Sequence, residues 1–183
     1  MTTLNRRAFI KILHWLTAAM ILYFYMVEPD VPNRAEAAAK TAALSTHAGV
    51  GFLLGIVVLI WTAMFMRKGT MGKPGPKLPG WGRAAYPWLH KGLHYALPIM
   101  LASGLAAGLS APFAVQGFGA IPMNIPGLGN STLHGLAEEI HEIAFDALLI
   151  IIVAHAVFHL WRHFILKDNA LRIIMPKIMH KYL

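Results

Sequence analysis

Two histidines bracket the apolar run HEIAFDALLIIIVAH, residues 141–155. Imidazole can hydrogen-bond, carry a proton or ligate a metal, and polar groups inside oily sequence are costly enough to read as functional by default. The chain has ten histidines and no cysteine. Metal chemistry here therefore rests on nitrogen donors. No disulfide, thiolate site or cysteine-held iron–sulfur cluster is available. His14, His47, His141 and His155 fall inside or at the edges of apolar stretches, and the elements that carry these stretches decide whether they can meet.

Of the 183 residues, 57% are hydrophobic and 13% charged, against about 25% charged in a soluble domain. Four segments, residues 8–27, 46–66, 89–109 and 140–161, read as spans. Each has the roughly 20 apolar residues that cross ~30 Å of hydrocarbon. The first is too long for a signal core and has no small-residue cleavage site, so it reads as a retained helix. The expectation is one all-α membrane domain over residues 1–183, a four-transmembrane-helix bundle.

The net charge of +8 is distributed as topology, not as a nucleic-acid footprint. Fourteen of the sixteen Lys and Arg lie at or before the start of span one, between spans two and three, or after span four. Only Arg34 and Lys40 lie between spans one and two. Six of the eight acids, Glu28, Asp30, Glu36, Glu138, Glu139 and Glu142, fall in or beside the other two connections. Basic residues stay cytoplasmic, which puts both termini in the cytoplasm and the basic face against anionic lipid.

Local signals fill in the connections. EPDVPN after span one is a breaker. Asn33 with Glu36 resembles a capping box that would start the second helix near Arg34. The Gly- and Pro-rich stretch KGTMGKPGPKLPGWG is a loop, and Pro98 predicts a kink in span three. Residues 111–130 form a long apolar outer loop, lying on the membrane surface or capping the bundle. Ser131 is the expected N-cap of the fourth helix. The tail, residues 167–183, alternates basic and apolar residues as an interfacial helix would.

Helical geometry now pairs the histidines. His141 and His155 are fourteen residues apart, roughly 21 Å along one helix and within about 40° of one face. With alternating helix directions, His14 and His155 share a depth near the cytoplasmic side, and His47 and His141 share one near the outer side. Two imidazole pairs in a four-helix bundle suit two haems, each held from both faces. Iron so held favours one-electron transfer over oxygen activation.

Other residues compete or assist. His159 lies one turn beyond His155 on nearly the same face, but closer to the surface. His163 and His180 read as interfacial, His134 as outer, and His90 and His94 as facing haem propionates, lipid or neither. Gly49, Gly51, GFLLG at 51–55 and GLAAG at 104–108 would let a helix or a flat macrocycle approach, although plain helix packing is the commoner use. Trp15 and Trp161 could flank a haem or mark interfaces. Asp146 lies inside span four but points well off the histidine face.

The stretches IKILHWLTAAMI, THAGVGFLLG, HKGLHYALPIMLASG and the run from His141 through HFILKDNALRIIMP resemble the bacterial cytochrome b561 family over nearly the whole chain. The resemblance implies a four-helix diheme cytochrome of the inner membrane with two b haems. Its ligand positions match His14, His47, His141 and His155, in the same pairs that depth gives. It also implies electron exchange with ubiquinone and, in one branch, superoxide oxidation at the outer face. A quinone site would lie near the cytoplasmic haem, with Arg162 and His163 as candidates. Two alternatives remain: a cytochrome subunit docked through residues 111–130 to a periplasmic redox partner, and a haem-free bundle holding zinc or copper.

Overall fold

The computed structural model describes residues 6–27, 37–70 and 73–183. Four long helices dominate: α1 (Arg6–Met26), α2 (Ala37–Lys68), α3 (Gly80–Ser110) and α4 (Ser131–Phe164). All four are long and apolar enough to cross a membrane. The most apolar window of α4 is only 11% buried inside the protein, so most of its hydrophobic surface faces outward. Ile150, Val153 and Val157 are examples. A helix apolar on nearly every side is stable only in protein or lipid surroundings, and here lipid must supply most of them.

The helices overrun their apolar segments. α2, α3 and α4 each begin nine residues before the spans expected at 46, 89 and 140. Hydropathy detects the oily stretch, whereas backbone hydrogen bonding continues through the flanking turns until a cap or breaker stops it. Pro79 precedes α3, and α3 runs on through Pro87 and Pro98. Gly69, at φ +67°, closes α2 by donating its N–H to the Phe65 carbonyl at 2.7 Å, a left-handed cap that glycine adopts without steric cost. The breaker at residues 28–33 and the Asn33–Glu36 capping box lie outside the described residues.

The cap of α4 sits one residue earlier than Ser131. Asn130 accepts the Leu133 N–H on its side-chain oxygen at 2.9 Å. Its extended backbone and short amide suit the position. Asn130→Ala is expected to cost about 1 kcal/mol, read as a lower unfolding midpoint in detergent.

Where the helices meet, Ile21, Leu54, Val58, Leu97, Met100 and Leu148 form a central core drawn from all four. Leu78, Tyr86 and Phe158 form a second cluster towards one end. Residues 111–130 cap the opposite end. Two short antiparallel strands, β1 (Gln116–Gly117) and β2 (Ile121–Pro122), make a hairpin there. Phe118 donates its N–H to the Ser45 carbonyl at 2.9 Å, and Gly119 donates to Ser45 Oγ at 2.7 Å. The Phe118 ring packs over Gly49, where a Cβ would lie 2.5 Å from it.

The tail is shorter in helix than expected. α5 (Ala170–Ile174) stops before Pro176, and a 3-10 helix (Lys177–Tyr182) follows. It is fastened to α1: Lys11 Nζ donates to the Met175 carbonyl at 2.6 Å and Trp15 Nε1 to the Ile174 carbonyl at 3.2 Å.

Candidate redox-cofactor site

At the hairpin end, His47 on α2 and His141 on α4 come together with ring centroids 6.2 Å apart and ring planes at 83°. Two imidazoles bound to one metal from opposite sides, with bonds of about 2 Å, have centres roughly 6 Å apart. The His141 Nδ1 lies 2.9 Å from the Met100 carbonyl and 3.3 Å from Ser103 Oγ. A carbonyl only accepts, so Nδ1 carries the proton and Nε2 keeps its lone pair. This is how an outer hydrogen bond fixes the tautomer of a ligating histidine.

Backbone shape serves the same ring. His141 lies against Gly104, where a Cβ would stand 2.7 Å from Cε1 and 2.9 Å from Nδ1. Gly104→Val is therefore expected to swing His141 off Met100 and to lower cofactor retention at this level at least tenfold, in the range for disturbed outer-shell contacts. The ratio of cofactor to protein after purification measures it. On α2, His47, Gly51 and Gly55 recur at four-residue steps, so they lie along one strip of the helix. A Cβ at Gly51 or Gly55 would meet nothing within 4 Å. A bare strip beneath an imidazole is a surface on which a flat macrocycle can lie. The Phe24 ring meets His47 edge-on at 4.8 Å.

The second level holds more imidazoles than sequence reasoning assigned. His155 lies 4.9 Å from His90 and 4.5 Å from His159, ring to ring. Ligand atoms of the three fall within 4.8 Å of one another. His14 on α1 is close enough to interact electrostatically with His90 and His155. The closest ring contacts of His155 are thus with His90 and His159. The His90 Nδ1 sits 2.7 Å from the Tyr86 carbonyl, which fixes its tautomer as at His141. The signal for this convergence was the four-residue repeat of histidine at 90 and 94 and at 155, 159 and 163, which stacks rings along one helix.

Buried ring nitrogens remain unsatisfied at both levels. Nδ1 of His14, His47, His155 and His163 and Nε2 of His159 have no hydrogen-bond partner among the described residues. Buried polar atoms are normally paired, so these rings fit a site built around a bound group. The donor set, the glycine strip and the fixed tautomer suit a haem held between helices.

Arg162 is 1% exposed and His163 7%. Both are buried in protein, whereas His163 was expected at the interface. Arg162 Nε donates to Asp168 Oδ2 at 2.8 Å, and the guanidinium lies over the Tyr86 ring at 5.4 Å. Asp168 Oδ1 also accepts the Ala170 N–H at 3.0 Å. His94 stacks on Phe65 at 4.4 Å. His134 donates from Nδ1 to the Ala107 carbonyl at 2.9 Å, and His180 Nε2 lies 3.1 Å from the Met175 carbonyl. Trp161 packs against Trp81 at 4.9 Å. Asp146 is exposed on α4, away from the half-buried His141.

Comparison with known proteins places these features in a wider group. Residues 5–177 match the family described as prokaryotic cytochrome b561. Among curated proteins, cytochrome b561 homolog 1 of Escherichia coli (strain K12) is 29% identical over 175 residues, covering 90% of this chain and 93% of the relative.

Proposed function

The chain belongs to the prokaryotic cytochrome b561 family, and on that premise we propose that it is a diheme cytochrome of the bacterial inner membrane. As a family member it is a membrane b-type cytochrome of electron transfer. The finer reading places one haem between His47 and His141 and the other between His14 and His155. Electrons pass between an outer-side donor and ubiquinone, and both termini lie in the cytoplasm. The observation that carries this reading is the close pair His47 and His141, with the Met100 carbonyl leaving His141 Nε2 free as a metal ligand.

Haem, when bound, would supply one-electron redox chemistry, and His47 with His141 and His14 with His155 would hold it. The chain supplies the rest. α2 and α4 fix the imidazole spacing at one level. Met100 and Ser103 hold the ring plane of His141, and Gly104 makes room for it. The core of Ile21, Leu54, Leu97 and Leu148 keeps water from the space between the two levels. Arg162 and His163 remain the quinone-side candidates, as walls of that end of the bundle.

A superoxide donor is the sharper version, and a periplasmic redox partner is the alternative. The second is favoured by the apolar side chains that residues 111–130 expose, among them Phe113, Phe118, Ile125 and Leu128.

The test begins with a reduced-minus-oxidised visible spectrum and a haem assay per chain. Two b haems with sharp low-spin bands are expected, and a protein without haem from haem-replete cells ends the proposal. Superoxide is then added to the oxidised protein with a soluble ubiquinone analogue. Haem reduction followed by quinol formation supports the sharper version, and no reduction discards it in favour of a protein donor.

A further inference from the structure

A second site lies at the opposite end from the hairpin, in the connection between α2 and α3. Lys73, Pro74, Gly75, Pro76 and Arg83 line a cleft of about 460 Å³. We propose that this cleft binds the phosphate headgroup of an anionic phospholipid at the cytoplasmic surface. The inference rests on the orientation proposed above and is independent of the haems.

Charge is the first argument. This end of the chain carries Lys73, Lys77, Arg83, Lys91, Lys167, Arg172, Lys177 and Lys181, and among the described residues its only acidic side chain is Asp168. Asp168 is fully buried against Arg162, with side-chain exposures of 0% and 2%. The acid is thus spent internally, and the field at the cleft mouth is left positive. Clusters of this kind at the cytoplasmic face attract anionic lipid.

Shape is the second. Gly75 rests on the buried pair: a Cβ there would be 2.5 Å from Asp168 Oδ2 and 2.6 Å from Arg162 Nη2. Only glycine lets the loop that lines the cleft close this tightly over the pair. Arg83 is already held in place, Nε donating to the Leu78 carbonyl at 3.0 Å and Nη2 to the Pro76 carbonyl at 3.2 Å. Lys77 Nζ donates to the Lys167 carbonyl at 2.9 Å and ties this loop to the tail. A guanidinium braced before binding loses little freedom when an anion arrives.

Depth is the third. Trp81 and Trp88, on the first turns of α3, are 61% and 74% exposed. Lys91 Nζ lies 5.8 Å from the centre of the Trp88 ring. Exposed tryptophan beside lysine at a helix end marks the headgroup layer. Arg83 lies between the two tryptophans along α3, so the cleft sits at the depth of the headgroup layer.

Native mass spectrometry of the haem-loaded protein in mild detergent tests this, with phosphatidylglycerol and phosphatidylcholine added in equal amounts. The parent chain should retain phosphatidylglycerol about tenfold over phosphatidylcholine. Lys73→Gln/Arg83→Gln should abolish the preference while the visible spectrum stays unchanged. Because Arg83 also braces the loop, Lys73→Glu is the second variant; it leaves those bonds intact and should invert the preference. Equal retention of both lipids by the parent, or full preference in Lys73→Glu, overturns the proposal. So does inorganic phosphate if it displaces phosphatidylglycerol at equal concentration, because the site would then serve a free anion.

Discussion

His141→Ala is expected to retain half of the haem, about one per chain instead of two. Alanine removes both the Nε2 donor and the bonds that aim it, and His47 alone cannot hold the macrocycle from both faces. His47→Ala should give the same loss, and the double variant should lose no more, because the two residues act on one group. His14→Ala or His155→Ala should empty the other level and leave this one intact. His159→Ala separates two readings of the crowded end. If His155 is the ligand, His159→Ala keeps two haems; if it drops to one while His155→Ala keeps two, the assignment moves by one turn of α4. A full complement of haem in His141→Ala would sink the pairing altogether.

Breaking the Arg162–Asp168 pair should have the largest effect on stability. Removing one partner leaves the other charge buried and unpaired, which costs about 3–5 kcal/mol. Asp168→Ala strands a guanidinium that is 1% exposed and also removes the acceptor for the Ala170 N–H. Arg162→Ala strands the carboxylate beneath Gly75. Replacing both by apolar residues, Arg162→Met with Asp168→Leu, should cost less than either single change, because no charge is then left without a partner. Thermal inactivation in one fixed detergent and lipid mixture compares the four proteins. Single variants as stable as the parent would show that water reaches the pair.

The four spans were legible in the sequence because each is a long unbroken apolar run, and lipid demands one. Helical phase and depth brought His47 and His141 to one level without any coordinates. The same arithmetic was blind elsewhere. It treats each helix as a separate rod, so it did not place His90 of α3 beside His155 and His159. That contact depends on how closely α3 and α4 pack. Arg162 and His163 carry polar side chains at a helix end, where exposure is the ordinary outcome. The burial of Arg162 goes with Asp168, whose carboxylate folds back from the turn before α5 to pair with it. The hairpin at Gln116–Gly117 and Ile121–Pro122 was hidden because two-residue strands have no periodicity to detect. Phe118 and Gly49 show their contact only once the loop is placed.

The fastening of the tail to α1 sets an order on assembly. The bonds from Lys11 to Met175 and from Trp15 to Ile174 join residues 164 and 159 positions apart. A ribosome delivers the first partner of each bond long before the second. Until Ile174 and Met175 have been made, α1 has no tail to grip, and the helices stay unlatched at that end. Closure is then a late, long-range event whose loop entropy must be met by contacts already formed among the helices. A nascent chain halted after α4 should accordingly leave the Lys11 amine, half-buried and bonded to the tail once folding is finished, more reactive towards amine-labelling reagents than it is in the folded protein.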